Sequence, residues 1–252
     1  MREMTIGKND AGQRLDRFLS KSLPLLPPAL AQKYIRIKRV KVNRGRAQRD
    51  QRLREGDTLQ LYINDEFFDK PSEENMFLTL FKPRLTVVYE DEHLLLADKP
   101  QGLVVHADET EKVNTLINHI QAYLYQKREW NPKWENAFTP ALCNRIDRNT
   151  GGIVIAAKDA ETLRILNEKI RDRELDKRYL CVTVGRPKQP EGRVECFLLK
   201  DEQKKQVSVY HRPVPGGKTA VTDYRVLDTR GELSLLEIGL ETGRTHQIRA
   251  TM

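Results

Sequence analysis

Residues 144–158 read Asn144-Arg145-Ile146-Asp147-Arg148-Asn149-Thr150-Gly151-Gly152-Ile153-Val154-Ile155-Ala156-Ala157-Lys158. A charged loop leads here into the apolar run 153–157, which predicts a strand that anchors the loop. Asp147 lies between two arginines, and opposite charges favour the ionised form of a carboxylate, so Asp147 can serve as a nucleophile or a proton acceptor. The alternative is a surface loop whose Arg and Asp side chains neutralise each other, and the pattern alone leaves both readings open.

The composition is that of a globular protein, with 38% hydrophobic and 32% charged residues in a chain of 252. No apolar run approaches the roughly 18 residues of a membrane span, and the first residues contain no apolar signal core. We therefore expect a cytoplasmic protein without a membrane partner. Cys143, Cys181 and Cys196 lack the CxxC spacing of a zinc site, so no bound metal is expected. Cys143 is predicted to be a small buried hydrophobe rather than a reactive thiol.

The basic charge is concentrated in the first quarter of the chain. Residues 1–64 contain 15 Lys and Arg against 6 Asp and Glu, a net charge of +9, whereas the remaining residues sum to −1. This asymmetry is typical of a polyanion-binding module attached to a nearly neutral body, although a merely solvated basic face is the alternative. The candidate contact residues in the densest basic stretch are Lys33, Arg36, Lys38, Arg39, Lys41 and Arg44.

Apolar periodicity divides the chain into a small module at 1–64, a linker at 65–84 and a second domain at 85–252. The predicted helices are 15–19, 28–37, 116–124 and one capped by Asp159; the predicted strands are 40–43, 59–63, 87–89, 93–98, 153–157, 177–185, 219–227 and 233–240, with shorter ones near Val194 and Val207. Packing on neighbouring structure is predicted for Phe67, Phe68, Phe77 and Phe81. Trp130 and Trp134 either stack on bases or pack, and His106 either contacts substrate or faces solvent.

Residues 12–64 resemble the S4 RNA-binding module. The matching pieces are Gly12-Gln13-Arg14-Leu15-Asp16, Val40-Lys41-Val42-Asn43 and Gly56-Asp57. The resemblance implies that the basic residues of this module bind RNA through its phosphates, which makes binding dependent on salt and largely blind to sequence.

Four further motifs occur in a fixed order along the rest of the chain. They are Tyr89-Glu90-Asp91 with Lys99-Pro100-x-Gly102; Arg145-Ile146-Asp147-Arg148-x-Thr150-x-Gly152; Lys177-x-Tyr179 with Val184-Gly185; and Thr242-Gly243-Arg244-Thr245-His246-Gln247-Ile248-Arg249. Together they resemble the RluA-type pseudouridine synthases. The implied fold is α+β, with a mixed, mostly antiparallel sheet in the catalytic domain and a small α/β S4 module before it.

The resemblance also implies a reaction and the residues that perform it. A uracil is detached from N1, rotated and rejoined to the ribose through C5, an isomerisation that needs no cofactor or metal. The target base has to leave its stack to reach a carboxylate. By position, Asp147 is the catalytic aspartate, Tyr179 stacks on the uracil and Arg249 pairs with Asp147. Arg145, Arg148, Arg244 and His246 are assigned to the RNA or to shaping the site.

The sequence departs from the family pattern at Asn144, Asn149 and Gly151, where the family commonly has His, Asp and Ser. Family members also continue past the last motif, so 85–252 is predicted to be a C-terminally incomplete domain. The expected substrate is ribosomal RNA, 23S above all, and the expected state is a monomer. Transfer RNA is the alternative substrate, and the alternative functions are an inactive RNA-binding assembly factor and a hydrolase with paired carboxylates.

Overall fold

The structure is a computed structural model that describes residues 1–69, 72–80, 82–201 and 206–252. The chain divides into two compact units, Met1–Glu168 and Lys169–Met252. Within the described residues, no helix is long and apolar enough to cross a membrane.

The N-terminal module of the first unit is a four-stranded antiparallel sheet with two helices. Its elements are β1 (Arg2–Thr5), α1 (Leu15–Ser22), α2 (Pro28–Arg36), β2 (Val40–Val42), β3 (Gly45–Arg46) and β4 (Thr58–Leu61), with strand order β1-β4-β2-β3. Leu15, Phe18 and Leu19 form one face of α1 and are completely buried, as their spacing predicts. Pro28 is the first residue of α2, a position at which proline loses no hydrogen bond.

The rest of the first unit has a second four-stranded sheet and two helices, of which the second helix continues three residues into the second unit. Its elements are two 3-10 helices (Asp65–Phe68 and Ser72–Thr79), β5 (Thr86–Glu90), β6 (Leu94–Lys99), α3 (Leu116–Gln126), β7 (Ala141–Leu142), β8 (Gly152–Ala157) and α4 (Ala160–Arg171), with strand order β5-β6-β8-β7. The apolar run after the Asp147 loop is therefore an inner strand, and its Val154, Ala156 and Ala157 are fully buried. Asp159 caps α4 by accepting a hydrogen bond from the backbone N–H of Thr162 at 2.8 Å.

The second unit is a five-stranded antiparallel sheet with one short helix. Its elements are β9 (Arg178–Val184), β10 (Glu191–Asp201), β11 (Gln206–Tyr210), β12 (Lys218–Arg230), β13 (Leu233–Leu240) and α5 (Gln247–Thr251), with strand order β11-β10-β12-β13-β9. One face of the sheet buries Ala220 and Ile238, and the other carries an ion-pair ladder in which Glu237 binds Arg178 and Arg225.

The α+β class with antiparallel sheets is confirmed. The main strands lie along the chain where the apolar periodicity predicts them. The sequence analysis missed β1, β3, β7, α5 and the two 3-10 helices. Of the predicted linker aromatics, Phe67 and Phe68 pack on the core of the N-terminal module and Phe77 is 1% exposed, while Phe81 lies outside the described residues. Trp130 packs against Phe77 with ring centroids 5.2 Å apart, so its role is structural.

Candidate active site and nucleic-acid interface

Asp147 is carried by the loop that joins β7 to β8. The two strands pair antiparallel, and the backbone N–H of Cys143 extends the ladder by donating to the carbonyl of Ile155 at 2.8 Å. The loop then turns at Asp147, whose carbonyl accepts from the backbone N–H of Thr150 at 3.0 Å. Ile146 is buried and anchors the loop, whereas Asp147 is half-buried. The carboxylate therefore sits on a short loop held at both ends by sheet hydrogen bonds.

Asn144, one of the departures from the family pattern, has a clear structural role. Its Oδ1 accepts from the backbone N–H of Ile155 at 2.8 Å, and its Nδ2 donates to the carbonyl of Ile153 at 3.3 Å. The side-chain amide thus takes the place of the next backbone pair of the ladder. Gly151, a second departure, could accept a Cβ without a clash, because the nearest atom, the carbonyl oxygen of Lys99, would lie at 3.5 Å, an ordinary van der Waals contact.

Lys99, at the end of β6, is a fully buried cation beside the Asp147 loop. Its ammonium donates to the carbonyls of Pro100, Leu103 and Arg148 at 3.0, 2.7 and 3.0 Å. Burial lowers the pKa of Lys99, and the negative charge of Asp147 acts in the opposite direction. Lys99 therefore connects the turn 100–103 to the Asp147 loop and adds positive charge near Asp147. The sequence analysis quoted its motif but assigned Lys99 no role.

The side chain of Arg148 contacts the loop that follows this turn. Its Nη2 donates to Thr110 Oγ1 at 2.9 Å and lies 3.4 Å from Asp108 Oδ2. Hydrogen bonds from Thr110, first from its hydroxyl, hold the pKa of Asp108 below its usual value. Arg148 thus has a carboxylate partner of its own, which the charge pattern around Asp147 did not indicate.

Two other sequence candidates lie near this loop. The pKa of His106 is lowered, first because surrounding protein partly desolvates its imidazole and second because Arg145 is close. His106 and the exposed Arg145 therefore share one surface next to Asp147. Cys143 is half-buried rather than fully buried as predicted. Its partial burial raises the pKa of its thiol to about 11, so the thiol stays protonated and the predicted lack of reactivity agrees with its setting.

Tyr179 and α5 occupy the same face of the second unit's sheet. Tyr179 on β9 is paired with Ile238, which is paired in turn with Tyr224 on β12, so these side chains point to one face. Ala250 of α5 packs on a cluster that includes Ala220, an alternate residue of β12 on that same face. Arg249 is exposed on α5. Tyr179 and the helix that carries Arg249 are thus placed on a common side by strand alternation.

Gln247 holds the arm between β13 and α5 in place. It is 2% exposed, and its Oε1 accepts from the Thr242 hydroxyl at 2.9 Å and from the backbone N–H of Arg244 at 3.0 Å. Its Nε2 donates to the Val221 carbonyl and the Thr222 hydroxyl. All the polar groups of this buried amide are engaged, which fixes the start of α5. The sequence analysis gave Gln247 no role, although a buried Gln at a helix start is a polar group that needs several partners.

Two further site candidates, Arg244 and His246, lie in the same arm. Arg244 Nε donates to the carbonyl of Thr219 at 2.9 Å. His246 precedes α5 with φ 52°, in the left-handed region. Asp147 belongs to the first unit, and Tyr179 and Arg249 belong to the second. The pairing of Arg249 with Asp147 therefore stays a prediction.

The N-terminal module has a basic cleft of about 630 Å³ between α2 and the segment 46–49. Of the sequence candidates, Lys33 and Arg36 line it, together with Arg46 and Arg49, which the sequence analysis did not single out. Arg39 lies over the ring of Tyr34, 5.5 Å from its centroid, and Lys41 over Tyr62 at 5.3 Å. Lys38 and Arg44 adopt positive φ, so both stand at backbone turns. The basic residues that were predicted as one face therefore divide into a cleft and a set of turn and strand positions.

Comparison with known proteins finds family matches for the N-terminal module and for the rest of the chain. Residues 93–252 match the model of the RNA pseudouridylate synthase family, and residues 13–59 match that of the S4 domain. An uncharacterized RNA pseudouridine synthase of Mycoplasma genitalium is 31% identical over 253 residues, covering 98% of this chain and 76% of the relative. Ribosomal large subunit pseudouridine synthase D of Borreliella burgdorferi is 31% identical, covering 100% of this chain and 74% of the relative.

A solved structure shows the same fold. Human RNA Pseudouridylate Synthase Domain Containing 4 has a TM-score of 0.53 and 23% identity, with 71% of this chain and 66% of that chain covered. This chain thus spans slightly less than two thirds of that structure and about three quarters of the sequence relatives. It belongs to the RNA pseudouridylate synthase family and carries an S4 domain at its N-terminal end.

Proposed function

We propose that the protein isomerises specific uridines to pseudouridine in large-subunit ribosomal RNA, 23S above all. The observation that carries this proposal is the loop of the half-buried Asp147, whose backbone is held by sheet hydrogen bonds and by the buried Lys99, within a chain of this family. Relatives named for the large ribosomal subunit support the choice of RNA. A protein acting on ribosomal RNA works in the cytoplasm, and a monomer leaves its surface open to so large a substrate.

In this reaction the bond between ribose C1′ and uracil N1 breaks and a bond between C1′ and C5 forms. The proton on C5 is lost and N1 gains one, so atoms and charge balance without a cofactor. Asp147 acts on the reacting nucleotide either as a nucleophile or as a base that takes a sugar proton. Lys99 places a positive charge near the carboxylate that performs either role.

Tyr179 and Arg249 complete the proposed site. An aromatic ring holds a flat base by stacking, and an arginine paired with a carboxylate orients it through its planar set of donors. Their placement on one side of the second unit's sheet supports a joint role. Arg145, exposed beside His106, would contact the RNA around the flipped uridine.

The test is Asp147→Asn, with Asp228→Asn as the matched control on the surface of the second unit. Ribosomal and transfer RNA from cells that lack the protein are incubated with each variant, and pseudouridine is mapped chemically. We expect new pseudouridine in ribosomal RNA with the wild type and the control, and a loss of roughly 10³-fold or more with Asp147→Asn.

New sites confined to transfer RNA would move the proposal to that substrate. RNA binding without new pseudouridine from the wild type would support the second candidate, an RNA-binding assembly factor, which the basic cleft of the N-terminal module favours. Full activity of Asp147→Asn would remove Asp147 from the chemistry.

A further inference from the structure

Hydrogen bonds join the N-terminal module to the segment that leads into β7. Asn136 donates from Nδ2 to the carbonyl of Thr5 and to Oδ2 of Asp10, both at 2.8 Å. Asn9 donates from Nδ2 to Oε1 of Glu135 at 2.9 Å. The segment 5–10, which begins at the last residue of β1, is thus bound by two consecutive residues of the loop between α3 and β7.

The same stretch is also bound by α4, the helix that follows β8. Oδ1 of Asn9 accepts from the backbone N–H of Ala160 at 3.1 Å, and Nη1 of Arg164 donates to the carbonyl of Ala11 at 3.1 Å. Asn9 therefore uses both ends of its amide, one toward the segment before β7 and the other toward the helix after β8. These are the two segments that flank the hairpin of Asp147.

This joint is partly shielded from water. Asp10 is 1% exposed, and Ala137 packs on the core of the N-terminal module. Burial raises the pKa of Glu135, and the charge of Asp10 acts in the same direction. Removing one partner of a hydrogen bond costs more free energy when the remaining polar group is shielded from water than when it is exposed. The joint therefore resists the swinging that a tethered module would undergo.

We propose that Asn9, Asp10 and Asn136 are positioning residues that determine which uridine is modified. They hold the basic cleft of Lys33 and Arg36 at a fixed place relative to the Asp147 loop. RNA bound by its phosphates in that cleft then presents only a uridine at one spacing to Asp147. This inference rests on the proposed function, and it adds a distance criterion to the choice of substrate.

The experiment compares Asn136→Asp with Asn131→Asp. The first variant places a carboxylate against Asp10 and the carbonyl of Thr5. The second makes the same charge change in the same loop, where Oδ1 of Asn131 only accepts from the backbone N–H of Lys133, a bond that Asp retains. The joint is monitored by hydrogen exchange of the Ala160 amide. Activity is measured on ribosomal RNA and on an oligonucleotide around the target that is too short to reach the cleft.

For Asn136→Asp we expect Ala160 exchange to rise about tenfold and the rate at the target uridine in ribosomal RNA to fall about tenfold, with new modification elsewhere. The rate on the short oligonucleotide stays at the wild-type value, and Asn131→Asp behaves like the wild type throughout. Adding Asp10→Asn to Asn136→Asp restores a donor–acceptor pair between positions 10 and 136 but leaves the carbonyl of Thr5 without its donor. We therefore expect the double variant to recover part of the protection and part of the selectivity.

Faster exchange with unchanged site selectivity would overturn the proposal, and so would unchanged exchange at Ala160. An equal loss on both RNAs would also overturn it, since that result indicates damage to the active site rather than lost positioning. If the wild type makes no pseudouridine at all, the proposed function fails and the selectivity role fails with it. The exchange of Ala160 still reports separately whether the module is held by Asn136.

Discussion

At the scale of single residues, Lys99 shows how a buried cation can serve a neighbouring carboxylate. A lysine without exposed surface is rare unless its charge is paired or hydrogen-bonded. Lys99 meets this condition with three backbone carbonyls, one of them that of Arg148, the residue after Asp147. The strand that ends at Lys99 is therefore bonded to the Asp147 loop through a single side chain.

Lys99→Met should keep most of the apolar stem but leave these carbonyls without their donor. We expect a loss of roughly 3 kcal/mol in the free energy of unfolding, measured by urea denaturation, and a fall in kcat. Lys133→Met, at an exposed position, is the control and should change neither. A Lys99→Met protein as stable as the wild type would show that the carbonyls are satisfied in another way.

At the scale of elements, α3 is connected to the chain before β5 through His119. The imidazole is 3% exposed; Nδ1 accepts from the backbone N–H of Arg84 at 3.1 Å, and Nε2 lies 2.8 Å from Asn114 Oδ1. Burial, and then the charge of Arg84, lower the pKa of His119. Protonation of Nδ1 would break the bond to Arg84, so His119 links this segment to the helix only while neutral.

Because the folded state lowers the pKa of His119, the unfolded state binds the proton more readily. The contribution of His119 to stability is present above its unfolded pKa of about 6.5 and decreases as the pH falls toward its folded value. We expect the loss of stability between pH 7.5 and 5.5 to be smaller in His119→Gln than in the wild type, by urea denaturation. His93, whose pKa is raised by its bond to Asp159, acts with the opposite sign, so His93→Gln is the comparison.

At the scale of the whole molecule, the uneven charge predicts that most of the electrostatic binding energy for RNA comes from the N-terminal module. Deleting 1–64 would be an ambiguous test, because that module packs on Ala137 and bonds to Asn136. Changing the charge of the cleft alone leaves this joint intact. Arg49 is less suitable for such a change, since its Nε binds Asp16 at 3.0 Å.

We expect the triple variant Lys33→Gln, Arg36→Gln, Arg46→Gln to bind RNA more weakly at low salt and to have a flatter salt dependence. Each lost phosphate contact should reduce the slope of log K against log salt by about 0.7–0.9, so the total change is about 2 to 3. The control carries the same number of substitutions at exposed positions of the second unit: Lys188→Gln, Lys218→Gln and Arg230→Gln. An equal change of slope in both proteins would mean that the cleft is not the main phosphate contact.

The sequence by itself determined the longer elements and the family. Helix spacing at Leu15 and Phe18, the apolar run after Gly152 and the alternation of 233–240 each appear in the structure because burial of a single face dictates them. The ordered motifs also indicated the family that the comparisons show. The short pieces β3 and α5 escaped detection because two to five residues are too few to display a period.

Only the tertiary structure decided which partners the polar side chains take. Lys99, Gln247 and Asn9 have ordinary surroundings in sequence, yet each is surrounded by donors or acceptors from distant segments. Likewise, Arg148 binds Asp108 and Thr110, and the side chain of Asn144 forms hydrogen bonds with the backbone of β8. Hydrophobic burial follows local periodicity, whereas a hydrogen bond depends on the position and direction of two groups, and long-range packing sets both.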